Sequence, residues 1–422
     1  MRRHPWLRRM GAALCAAGVL AGAFCAVSVL ALPDTFYITP SAQQQGLALA
    51  AMPWLQVKPN AAAAQQANTA RPDRSENVTL ALLGVLPLKT VRTVAVERRT
   101  VQVCGTPFGV KLFADGALVV AFSDQYTALG TENPAKQAGL RLGDRILQAN
   151  GVEVRNNTEL AEAIQAAQGQ PLMLVYERNR EQHTTSLRPV QDRTTGAWRA
   201  GVWVRDSSAG IGTMTFIDPE RGTFAGLGHA ISDSDTGAQV KLLSGEIVPV
   251  SVTGCVGGAA GAPGELHGEF SAQAAGTVLA NDTTGVYGQY TGVQCGQPMP
   301  VAHAQEVRPG PAQLWCTLQG QQARAYSVRI ERVDLGSADP NRNLVVRVVD
   351  PALLEACGGI VQGMSGSPLT QNGQLVGAVT HVLVNDPARG YGIFAETMLQ
   401  KADALAAQDK TGSHQNLTGT DK

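Results

Sequence analysis

The sequence has little of several features that would point to common functions. Only 5% of its 422 residues are aromatic, and 34 basic residues balance 34 acidic ones, so the formal net charge is zero. A chain without excess positive charge has no electrostatic basis for binding nucleic acid or an anionic membrane surface, and we expect neither partner. The seven cysteines include no CxxC pair. We therefore predict no metal site and no cofactor.

Glycine, in contrast, is abundant. The 46 glycines suit a turn-rich, mainly β protein, and the chain length suggests two to three domains. Five cysteines follow the apolar N-terminal segment, at positions 104, 255, 295, 316 and 357. Outside the cytoplasm they could form one or two disulfides, which leaves at least one thiol free or paired between chains.

The N-terminus has the composition of a membrane anchor. Arginines at positions 2, 3, 8 and 9 precede a charge-free run from 10 to 32. That run is long enough to cross a bilayer as one helix, and the basic flank predicts that residues 1–9 stay in the cytoplasm. We therefore predict a transmembrane signal anchor with everything after it extracytoplasmic. A cleaved signal peptide is the alternative.

The most informative motif is a serine between glycines, Gly363-Met364-Ser365-Gly366-Ser367-Pro368. A tight turn of this kind exposes the Ser365 hydroxyl as a nucleophile. The N–H groups of Gly363 and Ser365 then converge on the oxyanion that its attack creates. A hairpin turn, two glycine-bearing strands and a helix over 396–407 follow. This order resembles the end of chymotrypsin-like serine proteases and predicts a double β-barrel.

A serine nucleophile needs a base, and the chain has seven histidines. His229 follows a strand-like segment far upstream of Ser365, which is the His-then-Ser order of the chymotrypsin family. We therefore predict His229 as the general base. A turn histidine satisfied by backbone is the structural alternative for this residue. His381, directly after the strand that follows the serine, is the second candidate base.

Residues 104–191 indicate a binding module. The segment Pro134-Ala135-Lys136-Gln137-Ala138-Gly139-Leu140, continued by Gly143-Asp144-Arg145-Ile146-Leu147 and a helix over 159–168, resembles a PDZ domain. Such domains pair an extended peptide with a sheet edge and hold its C-terminal carboxylate in a nest of backbone N–H groups. We predict that loop at Pro107, Phe108, Gly109 and Val110. Its ligand would be a peptide C-terminus or a segment of this chain.

Three strings resemble the stage IV sporulation protein B (SpoIVB) peptidase family. They are Gly228-His229-Ala230-Ile231 with Asp233, Gly261-x-Pro263-Gly264-Glu265-Leu266-x-Gly268, and the run from Gly358 to Pro368. With the PDZ-like module, the resemblance extends over residues 78–402. Members of this family are membrane-tethered serine peptidases of endospore-forming bacteria, which act between the two membranes around the forespore.

The resemblance implies a substrate and a pathway. The substrate would be a regulatory membrane protein of a SpoIVF-type complex, and its cleavage would lead to activation of the mother-cell sigma factor sigma-K. The family also cleaves itself, and the polar segment 56–77 is where we expect such a cut, because its composition predicts a flexible chain.

The resemblance further implies that Asp350 orients His229. Asp350 precedes a proline and a short apolar run, so it is also typical of a helix N-cap. Asp282 has the spacing from the serine that is more usual for a chymotrypsin-like acid and is the alternative, while Asp233 could assist.

The predicted fold is thus mainly β, with a PDZ domain followed by a chymotrypsin-like double β-barrel and preceded by one transmembrane helix. In chain order the predicted segments are a cytoplasmic N-terminus (1–9), a transmembrane anchor (10–32), a flexible linker (33–77), a β-rich connecting segment (78–103), a PDZ domain (104–191), a peptidase domain (192–407) and a disordered tail (408–422).

Two other functional classes remain open. One is a catalytically inactive PDZ scaffold, and the other is an HtrA-like quality-control protease, in which the peptidase normally precedes the PDZ domain.

Overall fold

The computed structural model describes residues 29–40, 47–59, 75–233, 236–237, 239–293 and 295–415. These residues form a small N-terminal sheet, a PDZ domain and two six-stranded β-barrels. The mainly β prediction with a PDZ domain and a double β-barrel is therefore confirmed. The order of the parts along the chain differs from the prediction, as described below.

A four-stranded sheet in the order β1-β4-β3-β2 comes first among the described residues. Its strands are β1 (Thr35–Ile38), β2 (Leu55–Pro59), β3 (Ser75–Leu82) and β4 (Leu86–Ala95). Alternating side chains on the inner face, among them Phe36, Ile38, Leu55 and Leu80, are at most 5% exposed and share one core with the second barrel. The prediction of a flexible linker over 33–77 is therefore wrong for 35–38 and 55–59, because these short apolar segments pack against a neighbouring domain.

The described part of the chain contains no helix long and apolar enough to cross a membrane. Residues 10–28 of the predicted anchor lie outside the described residues, as do 60–74 of the segment in which we expect self-cleavage. Val29 and Leu32, at the C-terminal end of the predicted anchor, are at most 2% exposed and belong to the core shared with the second barrel. A membrane-crossing segment that extends to residue 32 does not fit this packing.

Two strands before the PDZ domain start the first barrel. β5 (Thr100–Val103) is followed by the 16-residue β6 (Pro107–Phe122). The first half of β6 pairs within the barrel, and its second half, at Ala117 and Leu118, pairs with a strand of the PDZ domain. One strand thus belongs to two domains.

The PDZ domain follows as an insertion. Its elements are β7 (Gln125–Thr127), β8 (Gly130–Glu132), α1 (Pro134–Gln137), β9 (Arg145–Ala149), β10 (Val152–Glu153), α2 (Asn157–Ala167), β11 (Leu172–Arg178), β12 (Glu181–Leu187), β13 (Val190–Gln191) and β14 (Trp198–Arg199). Asn156 caps α2, whose buried Leu160 and Ile164 lie one turn apart and face the sheet. Leu172 and Leu174 of β11 complete this core.

The chain returns to the first barrel along the 17-residue β15 (Val202–Asp218). The remaining strands are β16 (Thr223–Gly226), β17 (Leu242–Val256), β18 (Glu265–Phe270), β19 (Gly276–Asp282), β20 (Gly285–Tyr290) and β21 (Gln297–Pro300). The path β6-β17-β19-β20-β16-β15 closes because β15 pairs with β6. The PDZ domain therefore connects two adjacent strands of a peptidase barrel.

This insertion corrects the predicted PDZ boundary at residue 104 and the predicted binding loop. Pro107, Phe108, Gly109 and Val110 lie in β6, where they pair with β15 on one side and β17 on the other. Phe108 and Val110 are at most 3% exposed in the first-barrel core. A segment whose two edges are both paired has no backbone N–H groups left for a carboxylate, so these four residues are not the PDZ loop.

The second barrel is continuous in sequence. Its strands are β22 (Gly310–Cys316), β23 (Arg324–Val333), β24 (Leu344–Val348), β25 (Pro368–Gln371), β26 (Gln374–Leu383) and β27 (Asp386–Phe394). Between β24 and β25 lies α3 (Pro351–Cys357), and α4 (Ala395–Gln415) follows the last strand. Short 3-10 turns occupy Ala304–Glu306 and Pro340–Arg342. Met398, Leu399 and Ala402 of α4 pack on residues of both barrels.

Candidate active site

The structure places Ser365 in a tight loop between α3 and β25. Gly363 and Gly366 on either side have φ values of 94° and 92°, a region that strongly favours glycine. A Cβ atom on Gly366 would lie 2.0 Å from the Thr213 carbonyl oxygen and 2.4 Å from the Leu227 nitrogen. The backbone conformation therefore favours glycine at both positions, and close contact with the first barrel leaves no room for a side chain at Gly366.

Strand β15 of the first barrel holds this loop through three hydrogen bonds. The Thr213 N–H donates to the Ser365 carbonyl (2.9 Å) and the Thr213 hydroxyl donates to the Gly363 carbonyl (2.8 Å). The Thr215 hydroxyl donates to the Gly366 carbonyl (2.7 Å). Because the carbonyls are fixed by these bonds, the peptide N–H groups of the loop are fixed in orientation as well.

Two of those N–H groups match the predicted oxyanion hole. The neighbouring donors are used: the Met364 N–H bonds the Val361 carbonyl, the Gly366 N–H bonds the Val379 carbonyl and the Ser367 N–H bonds the Met364 carbonyl. The N–H groups of Gly363 and Ser365 have no hydrogen-bond partner within the described residues. Two backbone N–H groups that lie two residues apart on a nucleophile loop and have no partner in the protein are the arrangement that stabilises an oxyanion.

The Ser365 hydroxyl donates to the Thr380 carbonyl on β26 (2.8 Å). This bond keeps the hydroxyl at the surface of the second barrel. No hydrogen bond joins it to His229 in the described structure. The hydroxyl must therefore leave the Thr380 carbonyl before it can donate its proton to His229. Catalytic hydrogen bonds often shorten only when substrate is bound.

His229 lies in the turn after β16, where Leu227 and Gly228 both have positive φ values (66° and 68°). A Cβ atom on Gly228 would lie 3.0 Å from the Thr380 side chain, so this turn contacts the strand that follows the nucleophile. Nδ1 of His229 is 2.8 Å from the Ala230 carbonyl. Because a carbonyl only accepts, Nδ1 carries the proton and Nε2 is left to accept one.

A second histidine packs against the first. The ring centroids of His229 and His381 are 4.7 Å apart, with 31° between the ring planes. Burial lowers the pKa of His229. The loss of solvent at this contact, with repulsion from His229, lowers the pKa of His381 to about 4. Both rings are therefore neutral at pH 7, and a neutral His229 is the form that can act as a base.

The side chain of Asn281 fixes the His229 turn, and sequence reasoning missed this residue. Its Oδ1 accepts from the Ile231 N–H (2.7 Å), and its Nδ2 donates to the carbonyls of Ile231 and Val240 (both 2.9 Å). Asn281 directly precedes Asp282, which the sequence offers as an alternative acid. The contact joins residues 50 positions apart and has no local pattern.

Asp350, the residue predicted to orient His229, makes other contacts. Its Oδ1 accepts from the N–H groups of Ala352 and Leu353 at the start of α3, and its Oδ2 accepts from the Ser327 N–H (2.9 Å). This is the N-cap that the Asp-Pro sequence also predicted. The hydrogen bonds of Asp350 thus support the helix that leads to the nucleophile loop, and the ring of His229 bonds Ala230 instead.

The alternative acid, Asp282, occupies the loop between β19 and β20. Its carboxylate pairs with Lys401 of α4 (2.8 Å) and accepts from the N–H and hydroxyl of Thr284. Burial acts in the opposite direction, but the bonds from Lys401 and Thr284 lower the pKa of this group overall. Asp233 pairs with Arg205 (2.8 Å). The structure therefore brings together Ser365, His229 and the two oxyanion donors without a carboxylate bonded to the base.

A cavity of about 500 Å³ opens beside His229. Ile211, Leu227, Ala230 and Ile231 supply apolar walls, and Arg205 lies at one side. A disulfide between Cys255 of β17 and Cys357 at the end of α3 links the two barrels. Within the described ranges no group of three or more His, Cys, Asp or Glu side chains is placed to hold a metal ion.

The PDZ domain has a groove between α2 and the start of β15. Its cavity of about 740 Å³ is lined by Leu160 and Ile164 of α2 and by Val202 and Val204 of β15. Those β15 residues pair with β6 along one edge, and within the described residues no strand pairs with the other. The preceding Gly201 has a φ of 74°, and its carbonyl accepts from Ser123 and Asn133. This groove, at the end of the insertion, has the form of a peptide site that adds a strand.

The double barrel, the Gly-Met-Ser-Gly loop with two unpartnered N–H groups and the neutral His229 together have the arrangement of a serine peptidase site. Residues 196–399 match the family described as SpoIVB peptidase S55, and residues 125–178 match a PDZ domain. Over residues 196–399 the chain is therefore similar to the SpoIVB peptidases. The resemblance of its motifs to that family is therefore confirmed.

Similarity to individual proteins is more limited. NMA0084 of Neisseria meningitidis serogroup A, whose name describes a zinc metalloprotease, is 33% identical over 95 residues, which is 22% of this chain and 21% of that protein. Zinc metalloprotease RasP of Geobacillus kaustophilus is 35% identical over 72 residues, 16% of this chain and 17% of RasP. The chain thus spans about a fifth of the length of these relatives. The PDZ domain of the SdrC-like protein from Listeria monocytogenes is similar at 18% identity and a TM-score of 0.17, covering 21% of this chain and 87% of that structure.

Proposed function

We propose that the protein is a serine endopeptidase in which Ser365 attacks the peptide carbonyl and His229 takes its proton through Nε2. The N–H groups of Gly363 and Ser365 hold the oxyanion, and Ala230 fixes the base in the required tautomer. The observation that carries this proposal is the loop at Ser365, where the N–H groups of Gly363 and Ser365 lack a partner while Thr213 and Thr215 hold the loop's carbonyls. Such preorganisation supplies a large part of the rate enhancement in acyl transfer.

We assign Asp350 a supporting role in this mechanism. Its carboxylate fixes the start of α3, which leads directly to the nucleophile loop. In the resting arrangement the proton on Nδ1 of His229 is held by a backbone carbonyl, so the base has an orienting partner without a carboxylate. Asp282 would need to release Lys401 before it could approach His229.

The substrate we propose is a regulatory membrane protein that restrains sigma-K processing during endospore formation. The match to the SpoIVB peptidase S55 family supports this proposal. The protein would be anchored in a membrane by residues before 29, with its catalytic domain in the space between the forespore membranes. It would also cleave its own segment 56–77, of which residues 60–74 lie between β2 and β3.

The PDZ groove is proposed to bind a peptide C-terminus, from the substrate complex or from this chain. Strand addition along Val202–Val204 would satisfy the free edge of β15, and the nest after Arg199 would hold the carboxylate. Because β15 also binds the nucleophile loop through Thr213 and Thr215, the ligand and the nucleophile would contact the same strand.

The test uses the full chain in lipid vesicles with a SpoIVF-type regulatory complex, and Ser365→Ala as the matched control. Cleavage of one defined subunit by the wild type but not by the variant is the expected result. Equal cleavage of unfolded casein and the defined partner would favour the HtrA-like alternative. Unchanged biological function of Ser365→Ala would favour the inactive scaffold.

A further inference from the structure

Two thiols outside the proposed active site lie close together in the first barrel. Cys104 follows β5, and Cys295 lies in the connection between β20 and β21. Their sulfur atoms are 3.5 Å apart, and neither is in a disulfide. The Cys104 thiol also lies 3.6 Å from the Cys295 carbonyl, so the two segments are in direct contact. The mechanism proposed above uses neither thiol.

The environments of these thiols are unequal. Cys104 is 2% exposed. Cys295 is partly exposed and lines a cavity of about 460 Å³ together with Thr106, Met214 and Tyr290. The adjacent Cys104 thiol and then the Thr106 hydroxyl stabilise the Cys295 thiolate, which lowers the pKa of Cys295. The contact with Cys295, followed by burial, raises the pKa of Cys104.

This asymmetry is what thiol–disulfide exchange requires. An accessible thiolate attacks first, and a protected thiol beside it completes the reaction. The cavity at Cys295 gives an external disulfide room to approach, and the buried position of Cys104 prevents direct attack on it.

We propose that Cys295 and Cys104 are a redox-modification site that reacts with small or protein disulfides to form a second, reversible disulfide. The Cys295 thiolate attacks a disulfide RS–SR, forming a mixed Cys295–SR bond and releasing one RS⁻. Cys104 then loses its proton and attacks the Cys295 sulfur, which releases the second RS⁻. The two protein thiols lose two electrons, RS–SR gains them, and the two protein protons end on two RSH molecules.

The new bond would stabilise the part of the first barrel that supports the nucleophile loop. The Cys104 N–H bonds the Thr215 carbonyl, and the Gly105 N–H bonds the Met214 carbonyl. Thr215 in turn holds Gly366. A bond from Cys104 to Cys295 therefore fixes the β5–β15 contact that supports this loop, and it closes a loop of 191 residues. Cross-links across long loops restrict the unfolded chain, so the oxidised protein should melt several degrees higher.

The experiment incubates the full chain with oxidised glutathione at increasing ratios to reduced glutathione. Residual thiols are alkylated, and each cysteine is quantified by peptide mass. The variants are Cys104→Ser, Cys295→Ser and, as a matched control, Cys316→Ser, whose thiol is 1% exposed in the second-barrel core. Circular dichroism melting of each variant comes first, because a variant that does not fold is not informative.

In the wild type we expect the Cys104 and Cys295 peptides to become joined, with no glutathione retained. Cys104→Ser should keep glutathione on Cys295, Cys295→Ser should leave Cys104 unmodified, and Cys316→Ser should match the wild type. Should Cys104→Ser fail to fold, native alkylation of the reduced wild type decides, since Cys295 should react much faster than Cys104. Glutathione on Cys104 in Cys295→Ser, or equal alkylation rates of the two thiols, would overturn the proposal.

Discussion

The two barrels differ in continuity, and they contribute different parts of the candidate active site. The second barrel is one uninterrupted segment from Gly310 to Phe394 and provides the nucleophile with both oxyanion donors. The first barrel is divided by the PDZ domain between β6 and β15, and it provides the base and the threonines that hold the nucleophile loop. The nucleophile and the oxyanion donors therefore lie close together in sequence. The base and the threonines that position the nucleophile loop lie in the barrel that the PDZ domain divides.

This division suggests how a binding domain could act on a peptidase. β15 carries the edge of the PDZ groove at one end and the bonds to Ser365 and Gly366 at the other. Changes in the second barrel should abolish chemistry outright, while changes in the first barrel should weaken alignment. The predictions below test this distinction, beginning with the largest expected effect.

The largest effect is expected from removal of the nucleophile. Ser365→Ala should lower kcat by about 10⁴-fold or more, because no other hydroxyl occupies that position in the loop. Ser367→Ala is the matched control: the Ser367 hydroxyl is buried without a hydrogen bond in the described structure, so its removal should leave kcat within a small factor. Peptide hydrolysis with both purified variants makes the comparison. An equal loss of kcat in the two variants would show that the substitutions disturb the loop conformation, and it would contradict a specific role of the Ser365 hydroxyl.

A smaller loss is expected when the His229 turn is loosened. Asn281→Ala removes three hydrogen bonds to Ile231 and Val240, and a misplaced base costs about 10²-fold in rate. The loss should appear in kcat rather than KM, because Asn281 does not contact the proposed substrate groups. Thr283→Ala, in the same loop but without a bond to the turn, is the control. A change in KM alone would contradict the positioning role.

Next in size is the bond from β15 to the nucleophile loop. Thr215→Val leaves the Gly366 carbonyl without its partner in a buried site, which should cost about 1–3 kcal/mol of stability. Thr215→Ser keeps the hydroxyl and should lose less. Urea denaturation followed by fluorescence compares the two variants. Equal stability of Val and Ser at this position would show that the hydrogen bond contributes nothing.

Asp350 provides a sharp test between a structural and a catalytic carboxylate. As a helix N-cap, Asp350→Asn should retain kcat but lose a little stability, because its amide nitrogen cannot accept from the Ser327 N–H. Asp350→Ala should lose about 1 kcal/mol or more. As an acid that orients His229, Asp350→Asn should lower kcat by about 10⁴-fold. We expect the first result, since its carboxylate bonds the start of α3 and Ser327. Steady-state kinetics and thermal melting of the two variants separate these outcomes.

The smallest effect concerns pH. Burial lowers the pKa of His229 from its ordinary value of 6.5, so the acid limb of kcat/KM should lie below pH 6.5. The pKa of His381 is also lowered in the folded protein, to about 4. As pH falls, both histidines therefore take up a proton in the unfolded chain before they do so in the folded one. Their contribution to the free energy of unfolding is complete above about pH 6.5 and is lost as pH falls toward 4. His381→Gln should flatten this decline, and an unchanged slope would remove His381 as its source.

Sequence reasoning located the features that are encoded in consecutive residues. The loop from Gly363 to Pro368 and the turn around His229 could be recognised because their chemistry depends on glycines at fixed neighbouring positions. The double barrel and the PDZ domain followed from the same kind of local pattern. The family resemblance used longer strings but the same principle.

What could not be predicted depends on contacts between distant segments. The contacts of Thr213 and Thr215 with the nucleophile loop join residues 150 and 151 positions apart. The insertion of the PDZ domain was hidden because β6 is one strand shared by two domains, whereas the sequence around Pro107 and Gly109 suggested a loop. Asp350 shows the opposite case, since the local N-cap pattern matched the structure and the resemblance pointed to a longer-range role.

The measurement that tests the central claim most directly is the rate at which a fluorophosphonate probe labels the full chain, with the labelled residue mapped by mass spectrometry. Wild type, His229→Gln and Asp350→Asn are compared at pH 7. Activation of Ser365 from the first barrel predicts labelling on Ser365 in the wild type, nearly complete loss in His229→Gln and a wild-type rate in Asp350→Asn. Labelling of His229→Gln at the wild-type rate would contradict the assignment of His229 as the base that activates this serine.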